Sequence, residues 1–528
     1  MKLTTSMSKT TAILVLTVLV IWTQPFSYHV SAPPSINPVK PCGYIIYVDG
    51  SNYVANNCST GFDDYRGANA YSAISTALSG LPSVGGLLHL KAGSYPLTST
   101  LTVSKANVTF YGEGFGTVIT QPNAQNLAQL VKLTAPFITL SSLRINGNSA
   151  NQASGTSLVS IEAGGNDAMI QNLWITNAKG HALQIRPLVL RTRVLDNYFT
   201  GIGNLGVHFY NNFTTKVDSV VVGNYFAAFS GTGSQANGWG FGVSVVNSQN
   251  IIISGNTFVP GNGSHNEAIN IDSSSSIVIQ GNSIRNSFDS GIVLDTDSYG
   301  STSFCTISGN TVELSQFEGI ALVKSKGTEA QSVTNIVISG NVIRNNGQKL
   351  GENHYGIALT NSSRDTVIGN EIYDDQTTKT QSYGVDESGT SPSMPNNNTI
   401  VNNVFWGNKI GPITLVGTND VVRGNMGYDP VGRIGLPFST VNPPTVGLLN
   451  TNSATPSPNT AYLVVVTDLY IVSTAVNGES ITITDSAGNV VVQGLAQISQ
   501  PIFLAVGYKI NFGPFSSMNP PIVVVSAN

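Results

Sequence analysis

IIISGNTF (Ile251–Phe258), IVIQGNSI (Ile277–Ile284) and IVISGNVI (Ile336–Ile343) are one phrase written three times: a short apolar strand, Gly-Asn, then another apolar residue. The phrase recurs as VVVGNYF (Val220–Phe226), CTISGNTV (Cys305–Val312), TVIGNEI (Thr366–Ile372) and VVRGNM (Val421–Met426). From Gly223 to Gly255, Gly281, Gly309, Gly340 and Gly369 the steps are 32, 26, 28, 31 and 29 residues. A second phrase follows about half a unit later, as GIVL (Gly291–Leu294), GIAL (Gly319–Leu322) and GIAL again (Gly356–Leu359). Such a period, with alternation inside each unit, predicts stacked β coils rather than separate domains.

Each coil buries one face and needs neighbours to do so, so coils stack at the strand spacing of ~4.8 Å. Gly and Asn both tolerate the positive φ of a tight bend. In register, the Asn side chains can hydrogen-bond the coils above and below and satisfy turn backbone that is otherwise unpaired. The uneven spacing places insertions in loops.

Composition fits a long core with an uncharged surface. Of 528 residues, 41% are hydrophobic and only 10% are charged, against about 25% in typical domains. A net charge of −4 and a pI near 5.9 argue against nucleic acid or an anionic membrane as partner.

Lys2 and Lys9 precede an apolar run, Ala12–Trp22, that is short for a membrane span, so residues 1–32 read as a signal peptide or an uncleaved N-terminal anchor. Val30-Ser31-Ala32 offers a cleavage site, with Pro33 against it. Either way the body is secreted or on the cell surface. Cys42 and Cys58 flank a short loop and are expected to pair as a disulfide, whereas Cys305 replaces Ile336 in register and is expected in the core. Sequons at Asn57, Asn107, Asn212, Asn262, Asn361 and Asn397 are glycosylation sites or accidents of an Asn-rich chain. No His/Cys cluster has metal-site spacing.

Four regions follow. After residues 1–32, the repeat occupies 33–435, opening on a helix over Ala68–Leu78. Residues 436–460 are a Pro- and Asn-rich linker, and 461–528 carry short strands with turns at Asn477-Gly478 and Ala487-Gly488-Asn489, a small antiparallel sandwich.

The repeats, with the opening segment GGLLHLKAGSYPLTSTLTVSKANVTFYGEGFGTVI (Gly85–Ile119), resemble right-handed parallel β-helix proteins of the pectate-lyase-like superfamily. The likeness covers about three quarters of the chain. It implies an all-β fold: a right-handed single-stranded parallel β-helix with an N-terminal capping helix. The tail, with VVVTDLYIVSTAVNGESITI (Val464–Ile483), resembles the small β-sandwiches that end phage fibres and depolymerases. Members include lyases, glycoside hydrolases, uronan epimerases, tailspikes and adhesins, so fold does not choose the activity. No Asp-Asp pair with the downstream Gly-His and Arg-x-Lys pattern of polygalacturonase-like hydrolases and no DPH motif of mannuronan epimerases is present, and Asp374-Asp375 reads as a turn.

Similar enzymes bind polysaccharide across the first strand of each coil, here the GIxL phrase. Period 2 assigns one outward file as Gln184, His208, Ser244, Asn270, Val293, Ala321, Ala358, Asp386 and Thr414. The next file is Arg186, Tyr210, Val246, Asp272, Asp295, Val323 and Thr360. Polar groups gather on neighbouring coils: Arg186, His208, Tyr210, Asp272 and Asp295 as candidate catalytic residues, with Gln184 and Asn270 against substrate. Glu267 joins them from a loop before its strand that also carries His265, and Trp239 offers a ring platform from the loop 227–241.

Asp272 and Asp295 are expected ~4.8 Å apart at their attachment points, close enough to raise one pKa and make an acid beside an ionised partner. That suits glycosidic cleavage. The rival chemistry abstracts a uronate C5 proton with His208 or Tyr210 as base while Arg186 neutralises the carboxylate. A solvated Asp ladder, bridging a structural Ca²⁺, is the bland alternative; no other cofactor is implied. The sequence thus predicts a polysaccharide partner and an enzyme of lyase, hydrolase or epimerase type. The alternative is a non-catalytic adhesin or fibre subunit, including a homotrimer of the tailspike kind.

Overall fold

The computed structural model describes residues 42–211, 216–231, 239–261, 265–296, 300–324, 331–389 and 394–427, together with five strands between Tyr462 and Ala527. The predicted signal peptide or anchor (1–32) and the linker (436–460) lie outside these.

Residues 42–427 form a solenoid of three parallel sheets. Sheet one holds the GIxL strands, twelve of them from Leu101–Val103 to Gly411–Thr414. Sheet two holds the strands before Gly-Asn. Sheet three holds those after it, again twelve, from Gly93–Pro96 to Val404–Trp406. Sheet two begins with an antiparallel meander, Cys42–Asp49, Asn52–Asn57 and Asp63–Gly67, before the parallel register sets in at Gly86–Leu90. The disulfide Cys42–Cys58 ties this meander. One helix, α1 (Ala70–Gly80), follows it, two residues later than the sequence predicts. Asn69 caps it by accepting the Ser72 amide at 3.0 Å, which leaves Ala70, Ala73, Ile74, Ala77 and Leu78 on its buried side.

Inside the coils, like stacks on like. Phe199, Phe226 and Phe258 lie with ring centroids 4.7 and 4.8 Å apart and planes within 5°. Cys305 is a buried free thiol in the file of Ile336.

The bend between sheets two and three is held by an asparagine spine: Asn197, Asn224, Asn256, Asn282, Asn310, Asn341, Asn370, Asn403 and Asn425, all buried. From Asn224 onward each Oδ1 accepts from the amide and the Nδ2 of the Asn one coil earlier; Asn310 Oδ1, for instance, takes both from Asn282 at 2.9 Å. Each Nδ2 also donates to a core-strand carbonyl, as Asn310 does to Ile279 at 3.0 Å. The preceding residue is left-handed throughout, Gly at Gly309 (φ 63°) and Gly340 (φ 61°), Asp at Asp196 (φ 54°).

At the start of sheet one the strict alternation fails. A Cβ on Gly319 would stand 2.6 Å from Ile343 Cγ2, and one on Gly356 would stand 2.5 Å from Ile372 Cγ2. Both Gly and the following Ile therefore point into the core, and the residue before Gly returns to the outer face.

The five C-terminal strands pair antiparallel in one sheet. The predicted turn at Asn477-Gly478 is a correction: it lies inside one strand, Tyr470–Thr484, where the register shifts between Ala475 and Ser480. The chain runs on past the Asn-Gly pair because both halves pair with the same neighbour, Val490–Leu504. The turn at 487–489 falls between these two strands, outside the described residues.

Candidate functional site

The outward files of sheet one pair as the alternation requires. Gln184 is in register with His208, His208 with Ser244, Ser244 with Asn270, Asn270 with Val293, and the file runs on through Ala321 and Ala358 to Asp386. The second file joins Tyr210, Val246, Asp272 and Asp295.

The bend at Gly-Ile adds a third file that alternation alone does not assign. Phe241 is in register with Glu267, and Ser290, Glu318, Tyr355 and Tyr383 take the equivalent place in later coils. Glu267 is not on a loop: it and His265 are part of the strand His265–Asp272, because the third file is itself strand. Trp239 likewise opens the strand Trp239–Val246, where its ring stacks on His265 at 5.6 Å.

Glu267 is the centre of the acidic part of this face. It is 5% exposed, and Asn270 Nδ2 donates to its Oε2 at 2.8 Å. Burial first, then the negative charge of Asp289, Asp295 and Asp272, push its pKa well above the usual carboxylate range, against the pull of Asn270. Its proton is therefore held more tightly than that of an ordinary carboxyl. Asp272 accepts from Ser273 Oγ at 2.9 Å, Asp295 from the Thr296 amide at 2.6 Å, and Asp289 sits 3.1 Å from His265 Nδ1.

Arg186 and the histidines form a separate group. Arg186 Nε lies 3.9 Å from Glu162 Oε2, in a coil three steps before Asp272, hence about 14 Å away along the axis. The expected grouping of Arg186 with the Asp pair is thus corrected: they share a face but not a sugar ring. His208 packs against His181 at 5.1 Å and Tyr210 at 5.9 Å. Desolvation, with lesser repulsion from His181 and Arg186, lowers His208 to about 3; desolvation and Arg186 lower His181 to about 4. Both rings are neutral near pH 7.

Farther along, the third file supplies a second polar group. Glu318 Oε1 lies 3.0 Å from His354 Nδ1, and its Oε2 accepts from Ser290 Oγ at 3.0 Å. The rings of Tyr355 and Tyr383 stand 6.3 Å apart. Asp386 is raised to about 6, by desolvation first and by Glu318 as well, against a hydrogen bond from Ser388. The signal for Glu318, Tyr355 and Tyr383 was in the sequence, as the residue before each Gly of GIxL. Among the described residues no three His, Cys, Asp or Glu side chains converge as metal ligands.

A family profile described as "Right handed beta helix region" matches residues 157–334 and 241–426, which together span just over half of the chain. Among solved structures, the A-module of mannuronan C-5 epimerase AlgE4 from Azotobacter vinelandii superposes with a TM-score of 0.55 at 17% identity, covering 67% of this chain and 96% of that one. The AlgE6 A-module from the same organism gives 0.51 at 16%, covering 69% and 96%. The catalytic domain of a GH87 alpha-1,3-glucanase in complex with tetrasaccharides gives 0.50 at 15%, covering 75% and 70%. These likenesses concern the fold. No curated protein matched the sequence.

Proposed function

The chain belongs to the right-handed β-helix family, and on that scaffold we propose an extracellular enzyme that hydrolyses a polysaccharide laid along sheet one. The observation that carries this reading is the buried Glu267, held by Asn270 and raised in pKa among Asp272, Asp289 and Asp295. Glycosidic cleavage asks for one carboxyl kept as an acid beside others kept as anions.

In the proposed reaction Glu267 gives its proton to the glycosidic oxygen as the anomeric C–O bond breaks. The anionic pair Asp272 and Asp295 stabilises the positive charge growing on the sugar ring, and one of them takes the proton of the water that adds to it. The products are two shorter chains, one with a new reducing end. Uronate proton abstraction is the second reading: it would use Arg186 with His208 and Tyr210 one coil later, about 14 Å along the axis from Asp272. Helix α1 would close the N-terminal end of the core against solvent.

The reading is tested by incubating the protein with neutral and uronate polysaccharides and following reducing ends and ultraviolet absorbance. Hydrolysis gives new reducing ends without the absorbance of an unsaturated uronate, and Glu267→Gln abolishes them. Unsaturated products, or full turnover by E267Q, would remove the proposal.

A further inference from the structure

Asp386 presents the feature that this reading leaves unused. Its side chain is 5% exposed, on the outer face of sheet one, and its Oδ2 has no hydrogen-bond partner among the described residues. A buried carboxylate oxygen without a donor is costly unless something else supplies one. Beside it in the third file stand Tyr355 and Tyr383, partly buried, with phenol rings 6.3 Å apart. Between Asn270 and Asp386 the floor is short and apolar: Val293, Ala321 and Ala358 follow one another in register. Aromatic walls over a small apolar floor, ending on a hydrogen-bonding group, match a sugar ring, which has apolar C–H faces and hydroxyl edges.

Charge narrows the class of sugar. This stretch of the face carries Glu267, Asp272, Asp289, Asp295, Glu318 and Asp386, and the side chains beside Asp289 and Glu318 are the histidines His265 and His354. Lysines stand at its edges, Lys324 directly after the strand Ile320–Val323 and Lys409 two residues before Gly411–Thr414. Two lysines against six carboxyls make a poor cradle for a chain with one carboxylate per residue.

We propose that Asp386, Tyr355 and Tyr383 form a subsite for an uncharged glycosyl unit, four coils along the same face from Asn270, so that the substrate is a neutral glycan. The subsite rests on the hydrolase reading for its occupant, a polysaccharide. Four steps of the solenoid are about 19 Å, so one extended oligosaccharide touches Glu267 and Asp386 together. Asp386 Oδ2 is covered in the free protein, so a hydroxyl of the distal unit donates to it as the side chains above it yield, and the tyrosine rings pack against the C–H faces of that unit.

Binding without turnover tests it, which keeps its fate apart from that of the hydrolase reading. The E267Q protein is titrated calorimetrically with soluble glucans, mannan and xylan, and with alginate and polygalacturonate. At least one neutral glycan should bind and the two uronates should not. Adding Asp386→Asn, or separately Tyr355→Ala should Asp386→Asn fail to fold, should weaken that binding about tenfold, the loss of one charge-assisted hydrogen bond or one ring contact. Binding to uronates alone, to no neutral glycan, or unchanged binding in a folded variant overturns the subsite. Reducing ends from the unmodified protein report on the hydrolase reading independently.

Discussion

Asp365 holds the place that Ile336 fills one coil earlier, and its Oδ1 accepts the Ile336 amide at 2.8 Å. An acid therefore sits in an apolar file of the solenoid, with Ser362 donating to its other oxygen. Desolvation lifts it to about 7, while Ser362, the Ile336 amide and Arg364 pull the other way.

The folded chain thus binds a proton at Asp365 that the unfolded chain releases at an ordinary carboxylate pKa. Stability should be full below the unfolded value and fall as pH rises toward about 7, with buried Glu387 and partly buried Asp420, also raised, acting in the same direction. Asp365→Asn should remove most of that slope and raise stability at pH 8 by about 2–4 kcal/mol. Asn398 already fills the same place one coil later, so the amide fits the file. Thermal melts from pH 4 to 8 decide it; an unchanged slope in the variant would exclude Asp365 as its source.

Glu267 gives a prediction for the pH–rate profile. Turnover needs its proton, so activity should fall as pH rises through a pKa well above that of an ordinary glutamate. Glu267→Gln should lower kcat by about 10²–10⁴ with little change in KM. Loss confined to KM would make Glu267 a binding group instead.

The two histidines should be silent where histidines usually titrate. His181 and His208 are lowered to about 4 and about 3, so their ring carbon protons should keep constant NMR shifts between pH 5 and 8. A midpoint near 6.5 for either would show that its ring is more solvated than the packing allows.

Two glycines that look alike in the repeat should differ when changed to alanine. Gly319→Ala drives a Cβ to 2.6 Å from Ile343 and 2.7 Å from the Gly356 carbonyl, an overpacking expected to cost about 1–3 kcal/mol or more. Gly340→Ala meets nothing within 4 Å and carries only the penalty of φ +61°, about 1 kcal/mol. Chemical denaturation of the two proteins should rank them in that order.

Removing one rung of the asparagine spine should cost more than an ordinary surface change. Asn310→Ala leaves the Asn282 amide, its Nδ2 and the Ile279 carbonyl without their buried partner, about 2–4 kcal/mol. Stability within 1 kcal/mol of the parent in urea denaturation would mean that water replaces the rung.

The files on sheet one were legible because Gly-Asn marks every coil and period 2 then fixes facing, so His208, Asn270, Asp272 and Asp295 could be placed without coordinates. Glu318, Tyr355 and Tyr383 were not, because Gly and Ile turn inward together and shift the alternation before them. Burial of Glu267 was also out of reach: residue type and spacing do not reveal how much of a side chain its neighbours cover. Arg186 was placed on the right face. Its distance from Asp272 follows from the number of coils between them, which a clustering of polar residue types does not reveal.

Because sheet one advances by one strand spacing per coil, the solenoid works as a ruler. The apolar floor from Val293 to Ala358 separates its two polar ends by whole steps. A duplication or deletion of one such coil would leave both ends chemically intact and change only the length of glycan that touches them together. In this architecture chain-length preference is a matter of counting repeats, adjustable without altering any residue that handles a proton.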